Sequence, residues 1–97
     1  MVAEEQLRVE HNPGESRYEL FLDGERIGYT DYRAGDGRIL FTYIEIEPAL
    51  QGRGLASRLT KAALDDARDQ GLQISARCPF IVDYLEMHPE YLEPAPS

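Results

Sequence analysis

Residues 44–67 read IEIEPALQGRGLASRLTKAALDDA, and this stretch contains the change of period that decides the fold. Ile44 and Ile46 alternate with two glutamates, as in a strand with one apolar and one polar face. After Gly54 the apolar residues recur at helical spacing, at Leu55, Leu59, Ala63 and Ala67. The stretch therefore predicts a strand, a short loop and an amphipathic helix.

The loop between this strand and this helix is rich in small residues. Gly52 and Gly54, with Ala56 just after them, keep side chains away, so that successive backbone N–H groups can point at one anion. Arg53 adds a positive charge that can pair with a phosphate. The loop therefore predicts a pyrophosphate-sized site, although the two glycines alone are equally compatible with a tight turn that binds nothing.

The remaining sequence supplies further strands and one more helix. We predict five strands in all, at about residues 7–10, 18–23, 25–32, 38–47 and 72–76. Asp23-Gly24 favours a two-residue hairpin turn, and residues 34–37 favour another turn. The fourth strand is apolar on both faces in its first half, which predicts a position inside the sheet.

Glycine and proline predict where the two helices begin and end. Gly71 suits the position just after the first helix, and Pro79 suits the first position of a second helix, which Pro89 ends at His88. Residues 93–97 are expected to form a frayed end. The order ββββ-α-β-α predicts a single α+β (α/β layered) domain over residues 1–97, with a mainly antiparallel sheet.

Composition and charge exclude several classes of function. The 97 residues carry a net charge of −8 without a basic cluster, which argues against nucleic-acid binding. Such an acidic surface favours amines or basic peptides as ligands, or serves only to keep the protein in solution. The sequence contains no long apolar run and no leader pattern, so we expect a cytoplasmic protein that does not engage a membrane. Its two histidines have no metal-ligand spacing, so no metal is expected.

Three separate motifs resemble one known family. Gln51-x-x-Gly54-x-Ala56, which follows Ile46-Glu47-Pro48 and precedes a helix, resembles the acetyl-CoA-binding motif of the GNAT superfamily of N-acetyltransferases. Residues 50–64, 78–80 and 88–91 are similar to the minimal, YjdJ-type GNAT-like proteins. Two departures are that the family commonly has a histidine near Tyr43 and a proline near Ala76.

The resemblance implies acetyl-CoA as acyl donor and an unidentified amine or protein partner as acceptor. In that superfamily the fourth strand contacts the acetyl and pantetheine groups and the loop amides hold the pyrophosphate. Carried onto this sequence, the cofactor-binding residues are Ile44, Ile46, Gln51, Gly52, Arg53, Gly54, Leu55 and Ala56. The chain also lacks the additional helices and strands that build the acceptor cleft of larger relatives, so its acceptor site is expected to be shallow or completed by a partner.

Acetyl transfer to an amine requires a base for the amine and a proton for the departing thiolate. Glu45, with Glu47 on the same strand face, is the candidate base, although strand glutamates are commonly plain surface. Tyr84 resembles the tyrosine that many relatives use to protonate the sulfur, and its helical position is equally compatible with a core residue. His88 is expected only to cap the end of its helix.

Cys78 is the only cysteine and precedes Pro79, which places it at the N-cap of the second helix. The helix dipole and free amides there favour a thiolate, so we expect an accessible thiol that can accept the acetyl group and pass it on. The resemblance points to the same cysteine. The alternative is a small buried apolar residue.

Two functions are compatible with these observations. The first is an acetyl-CoA-dependent N-acetyltransferase, and the second is a module that binds acetyl-CoA or CoA as a sensor or adaptor without turnover. A purely structural α+β domain would leave the combination of motifs and the position of Cys78 unexplained.

Overall fold

The computed structural model describes residues 6–92, and its elements follow the predicted order. The strands are β1 (Leu7–Asn12), β2 (Arg17–Leu22), β3 (Glu25–Gly35), β4 (Arg38–Ile46) and β5 (Gln73–Ala76). The helices are α1 (Leu55–Asp69) and α2 (Pro79–Met87), with 3₁₀ turns at Pro48–Leu50 and Pro89–Leu92. The end of the chain that we expect to be frayed, residues 93–97, lies outside the described residues.

All five strands form one sheet in the order β1-β2-β3-β4-β5. The first four are antiparallel neighbours, and β5 runs parallel to β4 because α1 carries the chain back across the sheet. This arrangement confirms the predicted α+β fold with a mainly antiparallel sheet. β4 lies inside the sheet between β3 and β5, as its apolar first half predicts.

The hairpin between β3 and β4 is tighter than predicted. β3 continues to Gly35, which pairs with Arg38, so the turn consists of Asp36 and Gly37 alone. Both turn residues have positive φ, 53° and 76°, as a two-residue hairpin turn with a right-handed twist requires. The four-residue turn predicted at 34–37 is therefore wrong, because Asp36-Gly37 alone supplies the necessary backbone conformation.

The core lies between one face of the sheet and the two helices. From α1 it contains the predicted residues Leu55, Leu59, Ala63 and Ala67, each at most 8% exposed. The sheet contributes Phe41, which is fully buried. The buried side chains form a single cluster, which α2 joins through Ile81 and Leu85.

No helix among residues 6–92 is both long enough and apolar enough to cross a bilayer.

A β-bulge in β4 was not predicted. Tyr43 pairs with Asp31 while Phe41 pairs with Tyr32, so Thr42 is an extra residue on β4. An extra residue reverses the alternation of side chains, because successive residues of a strand point to opposite faces. Phe41 and Ile46 are consequently both buried in the core although one position is odd and the other even.

β4 and β5 pair over only part of their length. The parallel ladder runs from Arg38↔Gln73 to Phe41↔Ala76, and the oxygen of Phe41 then accepts from the N–H of Arg77 at 2.8 Å. Beyond that point the chain turns into α2, whereas β4 continues to Ile46 and pairs with β3 alone. The sheet therefore opens at this end, beside the starts of both helices.

Candidate functional site

A cavity of about 410 Å³ occupies the opening at the end of β4, and we call it the β4 cavity. Most of the predicted cofactor-binding residues line it, together with the candidate base Glu45. The lining is formed by Tyr43, Ile44, Glu45, Ile46, Leu50, Gln51, Gly52, Gly54, Leu55, Ala56, Ser57 and Phe80. Of the predicted set, Arg53, Cys78 and Tyr84 are outside this lining. One strand edge, one loop and one helix start thus meet in a single recess.

Four residues of the lining were not predicted, namely Tyr43, Leu50, Ser57 and Phe80. Ser57 lies in the first turn of α1, so the spacing of that helix could have identified it. Phe80 is 39% exposed at the start of α2, and an exposed phenylalanine there was the available signal. Tyr43 could have been found from its place in β4, because the strand itself was predicted to contact the ligand.

The loop geometry requires glycine at two positions. Gly54 is the N-cap of α1 with φ 75°, and Gly52 has φ 85°, a left-handed conformation that residues with a Cβ rarely adopt. Apart from the adjoining backbone, no heavy atom of the described residues lies within 4 Å of where a Cβ would stand on either glycine. Conformation, rather than crowding, therefore selects glycine, and the space beside the backbone is open to a ligand.

The N-terminus of α1 is turned toward this open space. The first N–H groups of a helix have no acceptor within it, and here Leu55, Ala56 and Ser57 all line the β4 cavity. Gly54 has no side chain that could cap them. The helix start therefore offers backbone donors and the positive end of the helix dipole to the recess, which is the arrangement that binds anions.

Gln51 fixes the loop to the end of β4. Its side-chain Nε2 donates to the oxygen of Ile46 at 3.0 Å, and its backbone N–H donates to the oxygen of Pro48 at 3.4 Å. The backbone N–H and one N–H of the side-chain amide of Gln51 are therefore engaged within the protein. Gln51 lines the cavity and holds the loop, while the neighbouring Arg53 is exposed at the loop tip.

Glu45 is held by two tyrosines. The hydroxyl of Tyr29 donates to its Oε2 at 3.0 Å, and the hydroxyl of Tyr43 donates to its Oε1 at 3.3 Å. Burial, and then Glu45, raises the pKa of Tyr29, and the charge of Glu45 raises the pKa of Tyr43. Both phenols therefore remain protonated donors at neutral pH. Because each oxygen of Glu45 is engaged, its carboxylate has a defined orientation at the rim of the cavity.

Cys78 occupies the predicted N-cap of α2, directly before Pro79 at the first helical position. The predicted accessibility of its thiol is wrong, since the residue is only 7% exposed and belongs to the core cluster. Its side chain makes no capping hydrogen bond. The position follows from proline chemistry, whereas the burial follows from the packing of α2 against β4 and β5.

Tyr84 lies one turn beyond Phe80, in a cluster between the two helices. Its ring stacks on His88 with centroids 4.3 Å apart. Burial is the main cause that raises the pKa of Tyr84, with Lys61 opposing and Asp65 adding to the increase. His88 directly follows the last residue of α2, and its N–H donates to Leu85, as expected of a residue at a helix end.

Within residues 6–92 no group of three His, Cys, Asp or Glu side chains is arranged to hold a metal ion. The site is thus defined by backbone donors, one oriented carboxylate and an apolar strand edge. A sheet that opens beside a glycine-rich helix start is characteristic of the GNAT superfamily fold, and the structure is of this class.

Comparison with known proteins agrees with this class. The chain matches the family described as GCN5-related N-acetyl-transferase over residues 17–94. It is 31% identical to Protein NATD1 of Mus musculus over 91 residues, which span 90% of this chain and 83% of that protein. The chain therefore belongs to the family of GCN5-related N-acetyltransferases. The narrower resemblance to YjdJ-type proteins stays a prediction.

Two solved structures show the same fold. One is a GCN5-like putative N-acetyltransferase from Staphylococcus aureus, with a TM-score of 0.65, 25% identity, and coverage of 88% of this chain and 83% of that one. The other is N-acetylglutamate synthase from Neisseria gonorrhoeae, complexed with coenzyme A and N-acetyl-glutamate. It has a TM-score of 0.62 and 15% identity, and the match covers 84% of this chain and 22% of that chain, so it shows the fold alone.

Proposed function

We propose that this chain is an acetyl-CoA-dependent N-acetyltransferase that acts on an amine acceptor. The single observation that carries the proposal is the β4 cavity, in which an opened strand edge meets the N-terminus of α1. A thioester with a pantetheine arm and a pyrophosphate requires a strand edge for its amides and a helix start for its phosphates. The coenzyme A complex of the Neisseria gonorrhoeae protein, which shares the fold, supports the same class of ligand.

The residues present fit such a donor. Backbone N–H groups of residues 54–57, with the open space beside Gly52 and Gly54, would hold the pyrophosphate. The edge of β4 over residues 44–46 would hold the pantetheine arm, and Leu50 and Phe80 would cover it. Arg53 at the loop tip supplies a positive charge for a phosphate at the mouth of the cavity. Gln51 has the separate role of holding the loop in place.

The chemistry assigned to the chain is direct transfer. The donor supplies an activated acetyl group; the amine nitrogen forms the new bond to the acetyl carbon as the carbon–sulfur bond breaks. Glu45 accepts the proton that the amine loses, because its carboxylate lies at the cavity and is held in one orientation. The leaving sulfur requires a proton, and Tyr84 is the proposed donor, since burial keeps its phenol protonated. That role requires the sulfur to lie beyond Phe80, toward α2.

Transfer through an acetylated Cys78 is the alternative route within the same activity. The thiol lies in the core cluster and outside the lining of the β4 cavity, so this route requires α2 to move. Direct transfer needs no covalent step at the buried thiol, and its base, Glu45, already lines the cavity, so it is the route that we propose.

A CoA-binding module without turnover is the second candidate function. The positions of Cys78 and Tyr84 outside the cavity lining favour it, because neither side chain reaches the recess as it stands. An assay of labelled acetyl transfer from acetyl-CoA to a panel of amines, with Glu45→Gln and Glu86→Gln compared, separates the two functions. Glu86 is an exposed carboxylate on α2 and serves as the matched control. Transfer that Glu45→Gln abolishes supports the enzyme; CoA binding without transfer to any amine supports the module.

A further inference from the structure

Lys61 is the only lysine among the 97 residues, and the other positively charged side chains, apart from two histidines, are arginines. An arginine stays protonated at any ordinary pH, whereas a lysine can lose its proton and become a nucleophile. The chain therefore contains a single side-chain amine that can accept an acetyl group on nitrogen.

The place of Lys61 on α1 brings this amine close to the β4 cavity. Lys61 lies four residues beyond Ser57, which lines that cavity. Residues four positions apart share one face of a helix, and helical side chains lean toward the N-terminus. Four residues advance a helix by about 6 Å, which an extended lysine side chain can span. Because the side chain of Lys61 is 64% exposed, a change of rotamer alone can bring its amine to the rim of the cavity.

Lys61 also borders the aromatic cluster that contains Tyr84. Its Nζ donates to Oδ2 of Asp65 at 2.7 Å, and Oδ1 of the same carboxylate accepts from the hydroxyl of Tyr91. The ring centroids of Tyr91 and Tyr84 are 6.5 Å apart. Burial raises the pKa of Tyr84, and the charge of Lys61 opposes this increase. The amine thus lies between the cavity lining and the phenol to which we assign protonation of the leaving sulfur.

We propose that Lys61 is a self-acetylation site, which takes the acetyl group of acetyl-CoA bound to the same chain when no external amine is present. This inference rests on the proposed function. Lys61 first loses one proton to water, and its neutral nitrogen forms the bond to the acetyl carbon as the carbon–sulfur bond breaks. The nitrogen then gives its second proton to water, while Tyr84 protonates the leaving sulfur and regains a proton from water. The products are acetyl-lysine, CoA and one released proton.

Asp65 restrains this reaction. Its hydrogen bond and its charge raise the pKa of Lys61, which keeps the amine protonated and poorly nucleophilic. Asp65→Asn retains an oxygen that can accept from Tyr91 but removes the negative charge. This variant should therefore acetylate itself faster than wild type.

Acetylation of Lys61 has a consequence for the transfer reaction. It removes the positive charge that opposes the increase in the pKa of Tyr84, so the phenol becomes a weaker acid. Transfer to external amines should then slow down. Self-acetylation in this way lowers the activity of a chain that holds acetyl-CoA without an acceptor.

Peptide mapping by mass spectrometry, after incubation of the whole chain with acetyl-CoA alone, tests the site. We expect one acetyl group on Lys61 in wild type and none at this position in Lys61→Arg, and the map separates this group from acetylation of the α-amine. The rate should be independent of protein concentration, because donor and amine belong to one chain. At acetyl-CoA below saturation, Gly54→Ala should lower the rate roughly tenfold or more, whereas Gly71→Ala should not.

The effect on Tyr84 has a readout that needs no acetyl-CoA. The pKa of Tyr84, followed by NMR in protein with labelled tyrosine rings, should be higher in Lys61→Gln than in Lys61→Arg, since glutamine imitates the acetylated side chain. Tyr84→Phe identifies the signal. Transfer to an external amine should be roughly two- to fivefold slower in Lys61→Gln than in Lys61→Arg.

An unmodified Lys61 in protein that binds CoA and acetylates an external amine would overturn the self-acetylation site. A rate proportional to protein concentration, or an equal rate in wild type and Gly54→Ala, would also overturn it, because either result indicates attack from solution. An equal pKa of Tyr84 in Lys61→Gln and Lys61→Arg would overturn the effect on transfer. CoA titrated first into the same preparation tests the β4 cavity by itself, so failure of CoA to bind is recognised as failure of the proposed function.

Discussion

Gly28 and Ile46 pair across β3 and β4 so closely that a Cβ on Gly28 would stand 2.6 Å from Cδ1 of Ile46. The same Cβ would lie 2.8 Å from the backbone oxygen of Glu45, which cannot move without shifting the strand. Close approach of backbone to side chain therefore requires glycine here. Ile46 and Glu45 both belong to the strand edge that lines the β4 cavity.

Gly28→Ala should consequently destabilise the protein by about 1–3 kcal/mol, the usual cost of overpacking, and should weaken CoA binding as Ile46 shifts. Gly35→Ala is the matched control on the same strand, since no described heavy atom beyond its two chain neighbours lies within 4 Å of its Cβ position. Urea unfolding measures the stability of both variants. Equal stability of the two variants would show that the contact is relieved without effect.

Gly54→Ala should reduce acetyl-CoA affinity roughly tenfold or more, because its Cβ would stand where the pyrophosphate approaches. Gly71→Ala is a close control, since Gly54 and Gly71 have φ of 75° and 76° and both have open space around them. Each variant should therefore lose about 1–2 kcal/mol of stability from backbone strain. Calorimetric titration of acetyl-CoA into each variant measures its affinity. A similar loss of affinity in both variants would show that backbone strain, and not a blocked pyrophosphate position, causes the effect.

Tyr18 joins the sheet to α1, because its hydroxyl donates to Oδ2 of Asp66 at 2.6 Å. Burial, followed by Asp66, raises the pKa of Tyr18 above its ordinary value of 10.0. A raised pKa in the folded state means that the neutral phenol contributes stability below about pH 10 and that this contribution is lost at higher pH. Wild type should therefore lose more stability than Tyr18→Phe between about pH 9 and about pH 11. Urea unfolding of both proteins across this pH range measures their stability. An equal loss of stability in wild type and Tyr18→Phe would contradict this account.

Cys78 should react slowly with iodoacetamide in the folded protein and rapidly in denaturant, because it is only 7% exposed. Cys78→Ala should retain acetyl transfer, since the proposed route is direct. Mass spectrometry after incubation with acetyl-CoA checks the alternative. An acetyl group on Cys78, together with loss of transfer in Cys78→Ala, would establish the covalent route and overturn direct attack.

Tyr84→Phe should leave acetyl-CoA affinity nearly unchanged while it lowers the rate of transfer, because a proton donor acts on the leaving sulfur and not on binding. Calorimetry and the rate measured on the same preparation separate the two effects. A variant that binds acetyl-CoA as weakly as Gly54→Ala would identify Tyr84 as a packing residue of the cluster with His88.

Much of the site could be predicted because it depends on local sequence. The glycines of the loop, the helical spacing after Gly54 and the proline after Cys78 each impose a backbone conformation within a few residues. These features placed α1, the loop and the N-cap of α2 correctly. Elements that follow from their own residues alone are the ones that pattern and turn chemistry can predict.

The remaining features depend on contacts between distant segments. The bulge at Thr42 was missed because Ile39, Leu40 and Phe41 are apolar on both faces, so their pattern shows no break of register. The pairing of Tyr29 with Glu45 follows from that bulge and from the tight β3–β4 turn together. The burial of Cys78 depends on how α2 packs, which no local pattern of residues 78–81 reveals.

The central claim is that acetyl-CoA binds in the β4 cavity. Titration of CoA into nitrogen-labelled protein, followed through the backbone amide signals by NMR, tests it most directly. We predict that the largest shifts fall on residues 43–46 and on Gly52 and residues 54–57, where the strand edge and helix start meet. Absence of any shift at millimolar CoA, or shifts confined to the β1–β2 hairpin, would contradict the account.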